Sequence, residues 1–336
     1  MNTQEKLRVV LIGRMYHPDA EARLREDVEL TVLDQPTPDE ICEATREAAG
    51  VFVRYPNKLT TEAINRAEHL RVISTSGRGT DAIDIPAASQ RGILVVNQPG
   101  FGTIPVAEHT IGFMLDLAKS MHPLNRATHA GEGWPAQKRF ARVELNEKTL
   151  GIIGLGNIGT EVARRCVAAF NMRVLAYDPY VPAGKANAVG ATLIDDLERI
   201  WGESDFVSLH PELNDETRGM MDEPQLRSMR NTAFLINTAR GPIVRTDALV
   251  RALREGWIAG AALDTHENEP VTAENPLAGL ENIILTPHTA GLTPEALRAM
   301  ALSAADQILK VLRAERPPHL VNPEVWSSVS PATRSG

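Results

Sequence analysis

Three glycines and one aspartate in the stretch Thr149–Asp178 carry the most legible chemistry of the chain. Gly154, Gly156 and Gly159 stand at GxGxxG spacing directly after the apolar run Leu150–Ile153. The first glycine permits a tight turn, the second lets backbone approach a pyrophosphate, and the third lets a helix pack closely on a strand. The helix that should follow carries Ile158, Val162, Ala163, Val167 and Phe170 at helical spacing, an apolar stripe suited to a sheet face. Its N-terminus offers N–H groups and positive potential to an anion. A second strand, Met172–Tyr177, ends at Asp178, nineteen residues beyond Gly159. A carboxylate there accepts hydrogen bonds from two ribose hydroxyls and repels a 2′-phosphate, so the complete unit points to NAD rather than NADP. Tyr180 and Lys185 lie nearby without composing a phosphate pocket.

The elements around this unit alternate. Apolar runs at Val9–Ile12, Leu30–Leu33, Val51–Val53, Val72–Ser74 and Ile93–Val96 are separated by polar segments of helical character. Thr37-Pro38-Asp39-Glu40 forms a capping box with proline in the first turn, and Thr60 can cap a helix running through Ile64 to Ala67. Such alternation predicts a parallel sheet covered on both faces. A helix over Val106–Leu117 leads out of this region, and from His122 to Leu145 the periodicity lapses into an excursion around Pro123, Gly131, Gly133 and Pro135.

After the glycine unit come strand-like runs at Phe206–Leu209, Ala233–Ile236, Ile258–Leu263 and Ile283–Leu285, which makes six with the two already placed. A last helix covers Glu295–Leu312, and a tail rich in proline and serine runs from Arg316 to Gly336. That tail is expected to wrap back on the first domain, with its final residues mobile. The reading is an α/β chain of two Rossmann-like lobes. A six-stranded doubly wound NAD-binding domain, residues 104–291, is inserted into a flavodoxin-like substrate-binding domain, residues 1–103 and 292–336. The flanking helices are expected to cross between the lobes and leave a substrate cleft.

Composition narrows the partners. At 336 residues with 43% hydrophobic content the chain can build two cores, and no apolar run approaches the roughly 20 residues of a membrane span. A net charge of −8 provides no basic footprint, so neither nucleic acid nor a membrane is an expected partner. Met1–Glu5 begins no signal or transit peptide, so a cytoplasmic location is the expectation. Cys42 and Cys166 are isolated, which suggests buried thiols in a reducing compartment and no metal site.

Several separated motifs, in order, resemble the D-2-hydroxyacid dehydrogenase family over nearly the whole length. They are Gly77-Arg78-Gly79-Thr80-Asp81-Ala82-Ile83-Asp84, Asn97-Gln98-Pro99-Gly100, Val106-Ala107-Glu108-His109, the GxGxxG block, Ile236-Asn237-Thr238-Ala239-Arg240-Gly241, Ala262-Leu263-Asp264 with Glu269-Pro270, and Thr286-Pro287-His288-Thr289-Ala290-Gly291. The resemblance implies a catalytic trio of Arg240, Glu269 and His288 and an NAD-dependent exchange between a small 2-oxo acid and its 2-hydroxy acid. Reduction needs a hydride on the carbonyl carbon and a proton on its oxygen. His288 is the expected acid/base, Glu269 would fix its tautomer, and Arg240 offers a planar fork to the substrate's carboxylate and carbonyl oxygens.

The resemblance also implies cofactor contacts at Asn157 and Ile158 beside the pyrophosphate, Asp178 at the ribose, Thr238 and Ala239 near the nicotinamide side, and Asp264 toward the carboxamide, with Arg240, His288 and Gly291 as further cofactor-binding residues. Asp264 could equally be a strand-end cap. Substrate carboxylate is expected on backbone N–H groups around Ser76, Gly77, Arg78 and Gly79. Arg78 replaces a small apolar residue usual there; either it is simply solvated, or with Arg54 it presents two cations to a substrate bearing a second anionic or polar group. Gly102, Glu212 and His266 also depart from the family pattern, in place of an asparagine, a proline and an aromatic. Glutamate at 269, where the formate dehydrogenase branch has glutamine, disfavours formate oxidation, and a regulatory domain like that of long phosphoglycerate dehydrogenases is not expected. The family implies a homodimer, with the 120–145 excursion reaching across; Trp134 and Phe140 are either its apolar anchors or buried within one chain. Relatives of the same fold act as NAD(H)-sensing corepressors, which is the alternative reading.

Overall fold

The computed structural model describes residues 6–329, in two compact units: residues up to Gly102 with those from Leu292 onward, and Thr103–Gly291. Met1–Glu5 and the last seven residues, where a missing leader and a mobile end were expected, lie outside the described residues.

The first unit holds β1 (Arg8–Ile12), β2 (Glu29–Leu33), β3 (Gly50–Val53), β4 (Val72–Thr75) and β5 (Leu94–Val96), all parallel, in the order β2-β1-β3-β4-β5. That is the flavodoxin-like winding expected from the alternating runs. Side chains alternate across the pleat, so Val9 and Leu11 enter one core with Phe52 and Val72, while Val10 and Ile12 enter another with Val51 and Ile73. The helix Pro294–Leu312 covers the first face through Ala301, Ala304, Ala305 and Ile308. Thr37 and Glu40 form the capping box, and Thr60 accepts from the Ala63 amide. The tail does return along β5: the Val321 amide donates to the Val95 carbonyl at 2.8 Å, and Asn322 both accepts from Val95 and donates to Ile93.

The second unit holds β6 (Thr149–Ile153), β7 (Arg173–Tyr177), β8 (Ala191–Leu193), β9 (Phe206–Leu209), β10 (Phe234–Asn237), β11 (Gly260–Leu263) and β12 (Ile283–Leu285). The order β12-β11-β10-β9-β6-β7-β8 is doubly wound and parallel throughout. The strand count is seven where the sequence predicts six. The extra strand is β8, three residues at the sheet edge of which only Ala191 is buried, so it leaves no apolar run to read. Ile153, Leu209 and Leu235 fill one face; Ile152, Phe206 and Ile236 fill the other. Each fully buried large apolar side chain of this kind contributes about 1.5–3 kcal/mol.

The 122–145 excursion is also corrected, because it contains the helices Met121–His129 and Gly133–Ala136. Pro123 falls in a first helical turn, where proline is tolerated, and the Asp116 carboxylate accepts the His122 amide at 2.8 Å. Among the described residues no helix is long and apolar enough to cross a membrane.

Candidate active site

Strand register places the predicted residues of the second unit. The last residues of six strands are aligned: Tyr177 with Ile153, Ile153 with Leu209, Leu209 with Asn237, Asn237 with Leu263 and Leu263 with Leu285. The residues that follow therefore form one row along the carboxyl edge of the sheet: Thr286, Asp264, Thr238, His210, Gly154 and Asp178. Neighbouring strands lie about 4.8 Å apart, so chemistry distant in sequence shares one edge. Strand order reverses between β6 and β9, where open α/β sheets bind their ligands.

The dinucleotide cradle is built at that reversal. Gly154 has φ +88, and a Cβ on it would meet the His210 carbonyl carbon at 2.8 Å and the Pro211 nitrogen at 2.7 Å. A Cβ on Gly159 would meet the Gly154 oxygen at 2.1 Å, whereas one on Gly156 would meet nothing within 4 Å. The third glycine thus seats the helix and the second leaves an open approach. The helix Asn157–Phe170 starts at Gly156 with no side-chain cap, so Asn157 and Ile158 open a first turn whose N–H groups suit a pyrophosphate. Asp178 accepts from the Leu155 amide at 2.8 Å and the Tyr180 amide at 3.0 Å. A carboxylate has about four lone-pair sites, so two hydroxyls can still be accommodated. These residues fit an NAD adenosine and pyrophosphate.

At the other end of the row, His288 Nδ1 lies 2.9 Å from Glu269 Oε2. Glu269 Oε1 accepts the His266 amide at 2.9 Å, which holds both carboxylate oxygens. The Glu269 side chain is 15% exposed and that of His288 38%, so the ring reaches solvent while its partner is mostly enclosed. His288 adopts φ +56, a left-handed backbone.

Asp264 explains how that backbone is kept. Its carbonyl accepts the His288 amide at 2.8 Å, Oδ1 accepts the Thr289 amide at 2.8 Å and the Thr286 hydroxyl at 2.5 Å, and Oδ2 accepts the Ala290 amide at 2.9 Å. These contacts tie the 286–290 loop to Asp264.

Arg240 follows β10 and is half-buried; its Nη1 donates to the Ala239 carbonyl at 2.8 Å, and Asn237 braces the turn through the Arg240 carbonyl and the Ala239 amide. Gly241 is required next, since a Cβ there would lie 1.9 Å from the His266 carbonyl carbon. Thr238 is 7% exposed and its hydroxyl sits 3.0 Å from that of Thr110. Thr110 gives its own proton to the Val106 carbonyl, so Thr238 is the donor. Gly291 lies against Val106.

The remaining predicted residues belong to the first unit. Ser76 is buried after β4, its hydroxyl 3.4 Å from the Tyr16 hydroxyl. The carbonyls of Gly77 and Arg78 accept from Gln98 and Asn97, which fixes the loop through Gly79. Arg54 is half-buried, with its guanidinium 4.6 Å from the Tyr16 ring centroid, while Arg78 is exposed.

Sequence reading gave no role to four polar residues of the second unit. Thr286 Oγ1 lies 3.2 Å from His109 Nε2. The His266 ring donates from Nε2 to the Thr286 carbonyl at 2.9 Å. His210 is half-buried, with its Nδ1 enclosed and its Nε2 2.9 Å from the Ser208 hydroxyl, and desolvation of the ring pushes its pKa down to about 3. His109 and Thr286 sit inside quoted motifs, but only the fold brings them together. Among the described residues no group of three His, Cys, Asp or Glu could hold a metal.

The family model for the D-isomer specific 2-hydroxyacid dehydrogenase NAD binding domain matches residues 111–290. A D-3-phosphoglycerate dehydrogenase of Methanocaldococcus jannaschii is 41% identical over 313 residues, covering 93% of this chain and 59% of that protein, so the chain spans well under two thirds of it. A glyoxylate reductase of Thermofilum pendens is 41% identical over 293 residues, 86% of each. The solved structure of an NADPH-dependent glyoxylate/hydroxypyruvate reductase from Sinorhizobium meliloti, in complex with NADP and malonate, superposes with a TM-score of 0.84 at 27% identity, over 94% of this chain and 97% of that one. The chain therefore belongs to the D-isomer-specific 2-hydroxyacid dehydrogenase family and carries that family's NAD-binding domain.

Proposed function

We propose that the protein is an NAD-dependent D-2-hydroxyacid dehydrogenase, interconverting a small 2-oxo acid and its 2-hydroxy acid. The observation that carries this reading is the His288–Glu269 pair, 2.9 Å apart, on the same sheet edge as the dinucleotide cradle. When bound, NADH supplies the hydride that reaches C2 of the substrate.

The chain's own residues handle the proton and the anion. Glu269 takes up Nδ1 of His288, which orients the ring and makes Nε2 the position that exchanges a proton with the substrate oxygen. In reduction the imidazolium gives that proton as the carbonyl becomes a hydroxyl; in oxidation the neutral ring takes it back. Arg240 holds the substrate carboxylate and polarises the carbonyl with a charge that does not titrate near neutrality. Backbone N–H groups around Ser76, Gly77, Arg78 and Gly79 receive the carboxylate, with Arg54 and Arg78 available to a second polar group.

Asp178 favours NAD over NADP, in contrast to the NADPH-dependent relative from Sinorhizobium meliloti. The test is a substrate panel: NADH oxidation with glyoxylate, hydroxypyruvate and bulkier 2-oxo acids. Turnover of at least one, abolished in His288→Asn, is expected. Tight NADH binding without turnover of any would overturn the enzyme reading in favour of a dinucleotide-sensing corepressor. Inclusion of diacids, with Arg78→Ala beside the wild type, separates the two roles of Arg78: equal losses for mono- and diacids would reject a second cationic contact.

A further inference from the structure

The helix Thr103–Lys119 reaches the sheet edge through consecutive residues, His109 and Thr110. Thr110 braces Thr238, and His109 braces Thr286. The hydroxyl of Thr286 has one proton, and it is committed to Asp264 Oδ1 at 2.5 Å. His109 Nε2, 3.2 Å from the same oxygen, must therefore be the donor to it. The result is a directed chain: His109 Nε2–H to Thr286 Oγ1–H to Asp264. Phe113, one turn later, meets the His109 ring edge at 4.4 Å between centroids and limits its rotation. Burial holds the His109 pKa below its usual range despite Asp264 at 3.9 Å, so the ring is a neutral Nε2–H donor near pH 7.

Asp264 in turn receives the amides of Thr289 and Ala290 and, on its carbonyl, that of His288. His288 sits at φ +56, a left-handed conformation that persists only when its surroundings over-determine it. A loosened Thr286 frees one carboxylate oxygen to turn and relaxes the loop that aims the His288 ring.

We propose that His109 is a positioning residue, acting through Thr286 and Asp264 to hold the loop 286–290 and so the direction of the His288 ring. The activity arm of its test rests on the reading of His288 as acid/base; the exchange arm does not. In His109→Leu the donor is lost, whereas in His109→Gln a side-chain amide can reach the same hydroxyl. Thr286→Val removes the relay, and Thr286→Ser keeps it.

Two readouts on the purified full chain decide the matter. Loss of one hydrogen bond of ordinary strength corresponds to about tenfold. In His109→Leu and Thr286→Val we therefore expect about tenfold faster amide exchange at Thr289 and Ala290 and about tenfold lower kcat, with the KM for the 2-oxo acid within about twofold. The Gln and Ser variants should recover both, and the Leu/Val double variant should be no worse than either single one. Unchanged exchange in His109→Leu, with only a lowered Tm, would overturn the proposal. So would a Gln variant as impaired as Leu, or additive losses in the double variant. If the wild type reduces no 2-oxo acid, the functional reading fails, and the exchange measurement alone still decides the role of His109.

Discussion

Asp264 holds the His288 backbone in a left-handed conformation by taking the His288 amide on its own carbonyl at 2.8 Å while its carboxylate collects the next two amides. The Asp264 side chain is only 2% exposed, so this anchor works in a low-dielectric setting where hydrogen bonds to a charge are strong. Both residues follow the aligned ends of the adjacent strands β11 and β12, which brings the His288 loop onto Asp264. Asp264→Asn keeps the shape but forces one oxygen to become a donor against amides that are also donors. We expect about a hundredfold loss of activity, with a fall in Tm read by calorimetry.

The proposed acid/base pair makes a sharper demand. Glu269→Gln preserves volume and can still accept from the His266 amide, but it replaces the charge that meets His288 Nδ1. General acid–base catalysis is worth about 10²–10⁴, and kcat should fall within that range in Glu269→Gln and toward its upper end in His288→Asn. NADH affinity by fluorescence titration should stay close to wild type in both. Equal loss of binding and turnover would place these residues in cofactor retention rather than proton transfer.

Two of the three glycines should separate folding from binding. Alanine at 159 would drive a methyl into the Gly154 carbonyl at 2.1 Å, a backbone clash with no cheap relief, and overpacking of this kind costs about 1–3 kcal/mol. Alanine at 156 meets no protein atom within 4 Å and should fold normally while weakening NADH binding, because the methyl occupies the approach of the pyrophosphate. Thermal melts with and without NADH distinguish the two.

The proposed cofactor choice rests on Asp178. Loss of charge-assisted hydrogen bonds to a ribose, worth about 1.5–3 kcal/mol, should weaken NADH about tenfold or more in Asp178→Ala while NADPH is affected little or improves. Comparison of kcat/KM for the two cofactors checks it. A ratio unchanged from wild type would remove Asp178 from ribose recognition.

The desolvated His210 ring should make the protein acid-sensitive. Its folded pKa is depressed to about 3, against about 6.5 for an unfolded histidine. Between those values the unfolded chain binds a proton that the folded chain refuses, so stability falls as pH drops through the window. At pH 5 the penalty is roughly 2 kcal/mol, being about 1.5 units at 1.36 kcal/mol each. Urea midpoints measured from pH 7 to pH 4 should decline less steeply in His210→Gln than in wild type, whatever the absolute stability of the variant.

Of the two places proposed for Trp134, the single chain leaves it 81% exposed. Large exposed aromatics cluster at interfaces, and a homodimer would cover it. Light scattering coupled to size exclusion should give a dimer that Trp134→Glu shifts toward monomer. A monomeric wild type would reject the interface.

The sequence by itself determined the winding of both sheets, since alternating apolar runs and helical stripes admit few parallel arrangements, and it located the cradle, because Gly154, Gly156, Gly159 and Asp178 act through backbone sterics and charge that local order already specifies. It also contained His288, Glu269 and Arg240, through the motifs around them. What it could not contain was register. Only the aligned ends of the strands brought Asp264 under the His288 loop and His109 against Thr286, and those pairings span 24 to 177 residues of chain. The edge strand β8 was likewise decided by the folded sheet, since only one of its three residues is buried and it leaves no apolar run. Local sterics and periodicity act within a few residues and so can be read along the chain. Hydrogen bonds between strand ends depend on which strands are neighbours, and only the folded sheet settles that.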